Sequence, residues 1–177
     1  MKVKWLAVSL AAVLCSVRVW AGEMPEGWAL PKTSAELERI KALAGQWASS
    51  TKGEQNEQSM PVTVTYEVTA GGSAVVETID PGTSHEMVSV YHDKNGKLNM
   101  THYCMLGNQP QLEIKNSTAG KIEMGLSAES HALLADQIHM HSLTLEIKGK
   151  SLTQRWTAKN PDGKPAEPTV FVLSRVR

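Results

Sequence analysis

From Val62 to the C-terminus apolar and polar residues alternate along most of the chain, and a short stretch before it follows a different rhythm. In that stretch Leu37, Ile40, Leu43 and Ala44 recur every three or four residues, which places them on one side of a helix. Thr33-Ser34-Ala35-Glu36 has the form of a capping box, the Thr33 hydroxyl accepting from the Glu36 amide, and Gly45 supplies a stop. Gln46 and Trp47 follow, and the polar run from Ser49 to Ser59 reads as a loop. Beyond it, a period of two predicts strands over 62–69, 74–79, 86–92, 97–105, 111–116, 121–126, 138–148, 151–159 and 169–176.

The punctuation between these strands has its own chemistry. Asn95-Gly96 suits a two-residue hairpin that needs positive φ at both central positions. Gly71-Gly72 and Ala119-Gly120 offer similar freedom, and Asn160-Pro161-Asp162-Gly163 is a turn whose φ is pre-set by proline. Short strands joined by hairpins leave a sandwich or a closed barrel and exclude a parallel sheet. Leu126 to Gln137 interrupts the alternation, and Ala128 to Leu134 within it suits a short helix or a flap over one barrel end.

The first 21 residues read differently again. Lys2 and Lys4 precede an apolar run from Trp5 to Cys15, and Val19-Trp20-Ala21 offers a cleavage site, the pattern of a secretory signal peptide. The expected mature chain is a single domain from Gly22 to Arg177, periplasmic or secreted, with no integral membrane segment after cleavage. Cleavage leaves 15 basic against 18 acidic residues and no Lys/Arg stripe for a phosphate backbone, which argues against a nucleic-acid partner. Cys104 is then the sole cysteine, so no internal disulfide is available and packing must hold the fold.

A helix leading into Gly45-Gln46-Trp47 resembles the Gly-x-Trp start of calycin barrels, the lipocalin and fatty-acid-binding superfamily. That resemblance implies that Trp47 plugs the barrel floor and that a basic residue of the last strand, Arg175 or Arg177, stacks across it as a cation–π contact. The run from Leu43 onward also looks like a family of exported bacterial lipocalin-like domains of unknown function. The similarity lies in residues 71–78, 81–88, Thr101-His102-Tyr103-Cys104 and His139-Met140-His141-Ser142-Leu143. The chain departs from true lipocalins in lacking their disulfide and their Thr-Asp-Tyr segment. Together these features predict an all-β fold: a closed antiparallel up-and-down barrel of about nine to ten strands with one N-terminal helix.

Side chains alternate along a strand, so residues two apart share a face. Leu98, Met100, His102, Cys104 and Leu106 then lie together, as do Val64, Tyr66 and Val68. The same parity sets His139 and His141 beside Leu143, Leu145 and Ile147. The expected interior candidates are therefore His102, Cys104, His139, His141, Tyr66 and Met100. An apolar interior with a few polar groups suits a small apolar or amphipathic molecule, and a cell-envelope binding module is the favoured function. The alternative is a barrel that binds zinc, copper or haem through His139, His141 and His102, since a His-x-His pair on one strand face is close enough to converge on an ion. Gly-x-Ser-x-Gly, His-Glu-x-x-His and Cys-x-x-Cys are all absent. His102 and Cys104 lack an acidic orienter for nucleophile–base work, so no catalytic residue is assigned.

Overall fold

The computed structural model describes residues 32–49 and 61–176. The proposed signal peptide and most of the 49–59 loop lie outside these residues. Ten antiparallel strands close on themselves: β1 (Gly45–Ser49), β2 (Thr63–Thr69), β3 (Ala74–Ile79), β4 (Met87–Lys94), β5 (Lys97–Tyr103), β6 (Gln111–Thr118), β7 (Lys121–Leu126), β8 (His139–Lys148), β9 (Ser151–Lys159) and β10 (Thr169–Arg175). Each pairs with its neighbour in sequence, and β1 completes the ring by pairing with both β2 and β10. Closure leaves no unpaired sheet edge. The strand around Gln46-Trp47 is the one that strand-by-strand alternation misses, because five residues carrying a single large apolar side chain are too short to show a period.

Inward positions are apolar and outward ones polar along most strands. On β9, Leu152, Gln154 and Trp156 are buried while Thr153, Arg155 and Thr157 are not; on β7, Ile122, Met124 and Leu126 are buried while Lys121 and Glu123 are not. A lipid-facing barrel carries an apolar outer band instead. No helix among the described residues is long and apolar enough to cross a membrane. At the β4–β5 turn, Asn95 (φ 55°) and Gly96 (φ 72°) both take positive φ, as a type I′ hairpin demands. Gly120 turns the chain without a positive φ, so the freedom expected of it is not used.

Helix α1 (Ala35–Lys41) crosses the end of the barrel where the even-numbered turns β2–β3, β4–β5 and β6–β7 lie. Its N-cap is Ser34, one residue later than the expected Thr33: the Ser34 hydroxyl accepts from the Leu37 amide at 3.1 Å. Asp93, at the end of β4, selects that residue by accepting from the Ser34 amide (2.5 Å) and hydroxyl (2.7 Å), which pins the helix start to the barrel. Leu37, Ile40 and Leu43 are buried against the interior. Trp47 is fully buried beneath them, its Nε1 donating to the Leu43 carbonyl at 2.7 Å. Arg175, its direct partner on β10, lays its guanidinium 4.5 Å from the indole centroid and donates to the Ala44 and Ala42 carbonyls at 2.5 and 2.8 Å. One side chain thus covers the plug and satisfies carbonyls that the helix end leaves open. At Gly45 (φ 118°) a Cβ would meet Arg175 Nη1 at 3.1 Å, so glycine there serves both the turn and the stacking.

Candidate functional site

Midway up the barrel, four polar side chains stand in one lateral row across adjacent strands. Tyr66 on β2 pairs with Glu77 on β3, Glu77 with Ser89 on β4, and Ser89 with His102 on β5. Direct antiparallel partners share a face, so all four point inward, and all are buried. The carboxylate is the hub. Tyr66 donates to Glu77 Oε1 at 2.6 Å and Tyr91 to Oε2 at 2.9 Å. Gln154, reaching in from β9, donates through Nε2 to Glu77 Oε1 and to the Tyr66 hydroxyl, each at 2.6 Å. Trp156 Nε1 donates to Gln154 Oε1 at 3.1 Å, which fixes the amide's orientation. Ser89 stands beside the carboxylate and favours its charged form.

Burial raises the Glu77 carboxyl above its usual range, and the neighbouring Tyr66, Tyr91, Ser89 and Gln154 oppose that rise. Burial also pushes the Tyr66 and Tyr91 phenols well up, with the Glu77 charge reinforcing the effect, so both remain protonated donors. At the end of the row, His102 Nδ1 lies 3.0 Å from Ser89 Oγ, and its ring packs on Trp156 with centroids 4.7 Å apart. Burial pushes the His102 pKa down to about 4, so the ring is neutral at pH 7. Its Nε2 is buried and has no hydrogen-bond partner among the described residues.

His102 opens onto a cavity of about 360 Å³ at the barrel end opposite α1. Ile79, Met87, Met140, Trp156, Ala158 and Phe171 form much of its wall, and Met105, Leu106 and Ile138 stand at its rim. Those three rim residues are 59, 46 and 40 % exposed, so the mouth itself is apolar. Cys104 also lines the cavity; burial raises its thiol pKa, which keeps the sulfur a neutral thiol and a poor nucleophile. Asn108 ties the β5–β6 loop across the mouth by donating to the Ile138 carbonyl at 2.8 Å. The segment between β7 and β8 contains α2 (Ala128–Leu133), whose N-cap Ser127 accepts from the Ser130 amide, while the buried Ser130 hydroxyl accepts from the Gln111 amide.

The sequence-derived candidates separate in the structure. His102 and Cys104 reach the cavity, whereas Tyr66 belongs to the polar row and Met100, 1 % exposed, sits in the packed interior away from the cavity wall. His139 and His141 do not share the inward face with Leu143 and Leu145. Met140 pairs with Ala158 but Ser142 pairs with Thr157, so β8 carries one extra residue at His141. That bulge reverses the parity below Leu143 and turns Met140 inward in place of the histidines. His139 and His141 instead meet each other, Nε2 to Nδ1 at 3.4 Å, and His141 lies 6.4 Å by ring centroid from His131 of α2. Burial, then Lys159, His139, His131 and Lys115, holds the His141 pKa below its ordinary value. The expected three-histidine metal set is therefore split by the barrel wall. Among the described residues no three His, Cys, Asp or Glu side chains are grouped to hold an ion.

Glu77, Ser89, Tyr91 and Gln154 were not among the expected site residues, although a signal existed for two of them. Glu77 lies between Val75 and Ile79 on one face, and Gln154 between Leu152 and Trp156. A polar residue inside an apolar face is the informative case.

These elements define a closed ten-strand barrel with a packed floor, a buried polar row and an apolar cavity at its mouth. The fold is similar to that in the crystal structure of Rv2717c from M. tuberculosis, with a TM-score of 0.54 and 14% sequence identity over 82% of this chain and 100% of that one. At that identity the likeness is one of fold alone. No family model matches the sequence, and no curated protein resembles it.

Proposed function

We propose that the protein is a cell-envelope binding module that holds a small apolar or amphipathic molecule in the cavity at the barrel mouth. The observation that carries this reading is the cavity itself: an apolar enclosure of about 360 Å³ in which the neutral imidazole of His102 and the thiol of Cys104 are the main polar groups. Ligand pockets combine apolar walls with a few placed polar groups in this way. Export follows from the leader-like residues 1–21, and N-terminal sequencing of protein recovered from the periplasm should begin at Gly22. For binding, the test is titration of the purified protein with the neutral fluorophore N-phenyl-1-naphthylamine, paired with solvent extraction and mass spectrometry of gently purified material. Saturable fluorescence enhancement that is lost in Ala158→Phe, a change that fills the cavity, is the expected result. The absence of both saturable binding and an extractable molecule would overturn the reading.

A further inference from the structure

We infer that the inner wall of the cavity is a site for a soft monovalent cation, copper(I), held by His102 Nε2, Cys104 Sγ and Met87 Sδ. The site shares the cavity with the ligand proposed above but does not depend on an organic molecule being there. The ring of His102 is 1 % exposed and lines the cavity, and its Nε2 has no hydrogen-bond partner among the described residues. A buried polar atom of this kind costs stability until a partner satisfies it. Sulfur supplies much of the surrounding wall. Met87, Cys104, Met105 and Met140 all line the cavity, which takes in three of the five methionines and the one cysteine among the described residues. Methionine also fills gaps in ordinary cores, so the sulfurs alone would not define a site; the unpartnered nitrogen beside them does. The strand register brings two of the four to the His102 side. Ser89 pairs with His102 and Val88 with Tyr103, so the next step of the ladder sets Met87 beside Cys104. Met87 and Ser89 share the inward face of β4, as His102 and Cys104 share the inward face of β5. One patch of wall therefore offers one imidazole nitrogen, one thiol and one thioether.

The donor set selects the ion. Thiolate and thioether ligands suit copper(I), whereas the carboxylates that harder ions prefer are missing from the described lining of the cavity. On binding, the Cu–S bond to Cys104 forms as the S–H bond breaks and its proton leaves to solvent; the copper enters and stays as copper(I), so no electron moves. Charge then separates copper(I) from zinc(II). A singly charged cation with one thiolate and two neutral donors has no net charge, which an apolar cavity tolerates. Zinc(II) on the same ligands would leave one positive charge buried. Ser89 completes the arrangement. With Nε2 on the metal the ring proton is on Nδ1, and Ser89 Oγ, 3.0 Å away, is placed to accept it, as the supporting residue of a ligating histidine does. Only two of the three donors are of the His, Cys, Asp or Glu types, so this set is distinct from the histidine set that the barrel wall divides.

The experiment titrates the purified protein anaerobically at pH 7 with copper(I) supplied as its coloured bicinchoninate complex, and follows the loss of colour as the protein takes the ion. One ion per chain is the expected result, and X-ray absorption of the loaded wild type should show sulfur and imidazole around the copper. Ser89→Ala should weaken binding about 10–100-fold, the usual effect of losing a supporting residue, and Cys104→Ser and His102→Phe should weaken it further. Met87→Leu conserves volume and so keeps the fold; it should weaken binding and remove one sulfur from the absorption spectrum. The wild-type spectrum decides even where a variant fails to fold: a copper shell of nitrogen and oxygen alone would overturn the inference. Undiminished binding in His102→Phe that is lost in His139→Ala with His141→Ala would overturn it by placing the ion on the outer pair, and displacement of copper(I) by zinc(II) would overturn the charge argument. Wild type that takes the neutral fluorophore but no copper(I) would overturn this inference and leave the binding reading intact. Copper(I) bound as described, with no fluorophore and no extractable molecule, would uphold the inference and remove that reading instead.

Discussion

At the α1 end of the barrel the helix side chains Leu37, Ile40 and Leu43 close over a fully buried Trp47, and Arg175 seals the indole from outside. At the opposite end strand side chains such as Ile79, Met140, Trp156 and Phe171 surround a cavity, and the loops bring exposed Met105, Leu106 and Ile138 to its rim. Between the two lies the Glu77 row. The same ten strands thus serve two purposes that compete for interior volume. Close packing supplies stability, and a void forfeits the contacts that its lining would otherwise make. The polar row marks the boundary, and it is tied into both regions: Tyr91 and Gln154 anchor it in the packed interior, while His102 and Trp156 carry it to the cavity wall.

The largest effect expected from breaking this arrangement is at the floor. Trp47→Ala removes the plug, the partner of the Leu43 carbonyl and the surface on which Arg175 rests. It should destabilise the protein by about 3–5 kcal/mol, as large aromatic deletions in cores do. Urea denaturation measures it, and an unchanged midpoint would show that the α1 end does not depend on the indole.

Glu77→Leu tests the boundary. It leaves the Tyr66 and Tyr91 hydroxyls without their acceptor in a buried setting, each costing about 1–3 kcal/mol if it stays unsatisfied, and leaves the Gln154 amide only the Tyr66 oxygen. Because the apolar side chain also relieves the desolvation of a carboxylate, the net loss should be roughly 3 kcal/mol, read from the same denaturation curves. A stability gain would show that the charge is tolerated for function and does not hold the fold together.

How much of this was legible in the sequence differs between the two regions in the same way. The closed end announced itself through local signals: the helical spacing of Leu37, Ile40 and Leu43, the Gly-Gln-Trp motif and the arginine at the close of the last strand. The cavity end depends on pairing. On β5, which runs without a bulge, parity places His102 and Cys104 inside with Leu98 and Met100. On β8 the same reasoning fails at His139 and His141, because the extra residue at His141 is visible only in the register with β9. Glu77, Ser89 and His102 lie 12 to 13 residues apart along the chain, and only the hairpin registers bring them into one row.

The pH response sharpens the comparison further, because the floor contains no buried imidazole and the cavity wall does. His102 titrates at about 4 in the fold against 6.5 when free. Between those values the unfolded chain binds a proton that the folded chain refuses, so stability falls as pH drops from 6.5 and the loss is complete near pH 4. Its size is on the order of 3 kcal/mol. Glu77 works in the opposite direction, since a carboxyl raised by burial favours the fold at lower pH. The histidine share is therefore taken as the difference between wild type and His102→Phe. Wild type should lose stability relative to His102→Phe as pH falls from 6.5 to 4. Parallel curves across that window would mean that His102 is solvated and ionises freely.

The smallest effect is the one that separates the two ends most directly. Leu145 is fully buried in the packed interior, and Leu145→Phe should cost about 1–3 kcal/mol, because added volume there forces neighbours from their rotamers. Ala158→Phe adds more volume, but beside Met140 and Trp156 in the cavity wall, where space for it already exists. The same kind of change should therefore shift stability by less than about 1 kcal/mol, in either direction, while abolishing binding of the neutral fluorophore. Thermal denaturation of both variants with a binding titration of the second makes the comparison. If Ala158→Phe destabilises as much as Leu145→Phe, the mouth is as tightly packed as the interior and the cavity does not persist in solution. If it is stable yet still binds the fluorophore, the ligand sits elsewhere and the division between a packed floor and a receiving mouth is wrong.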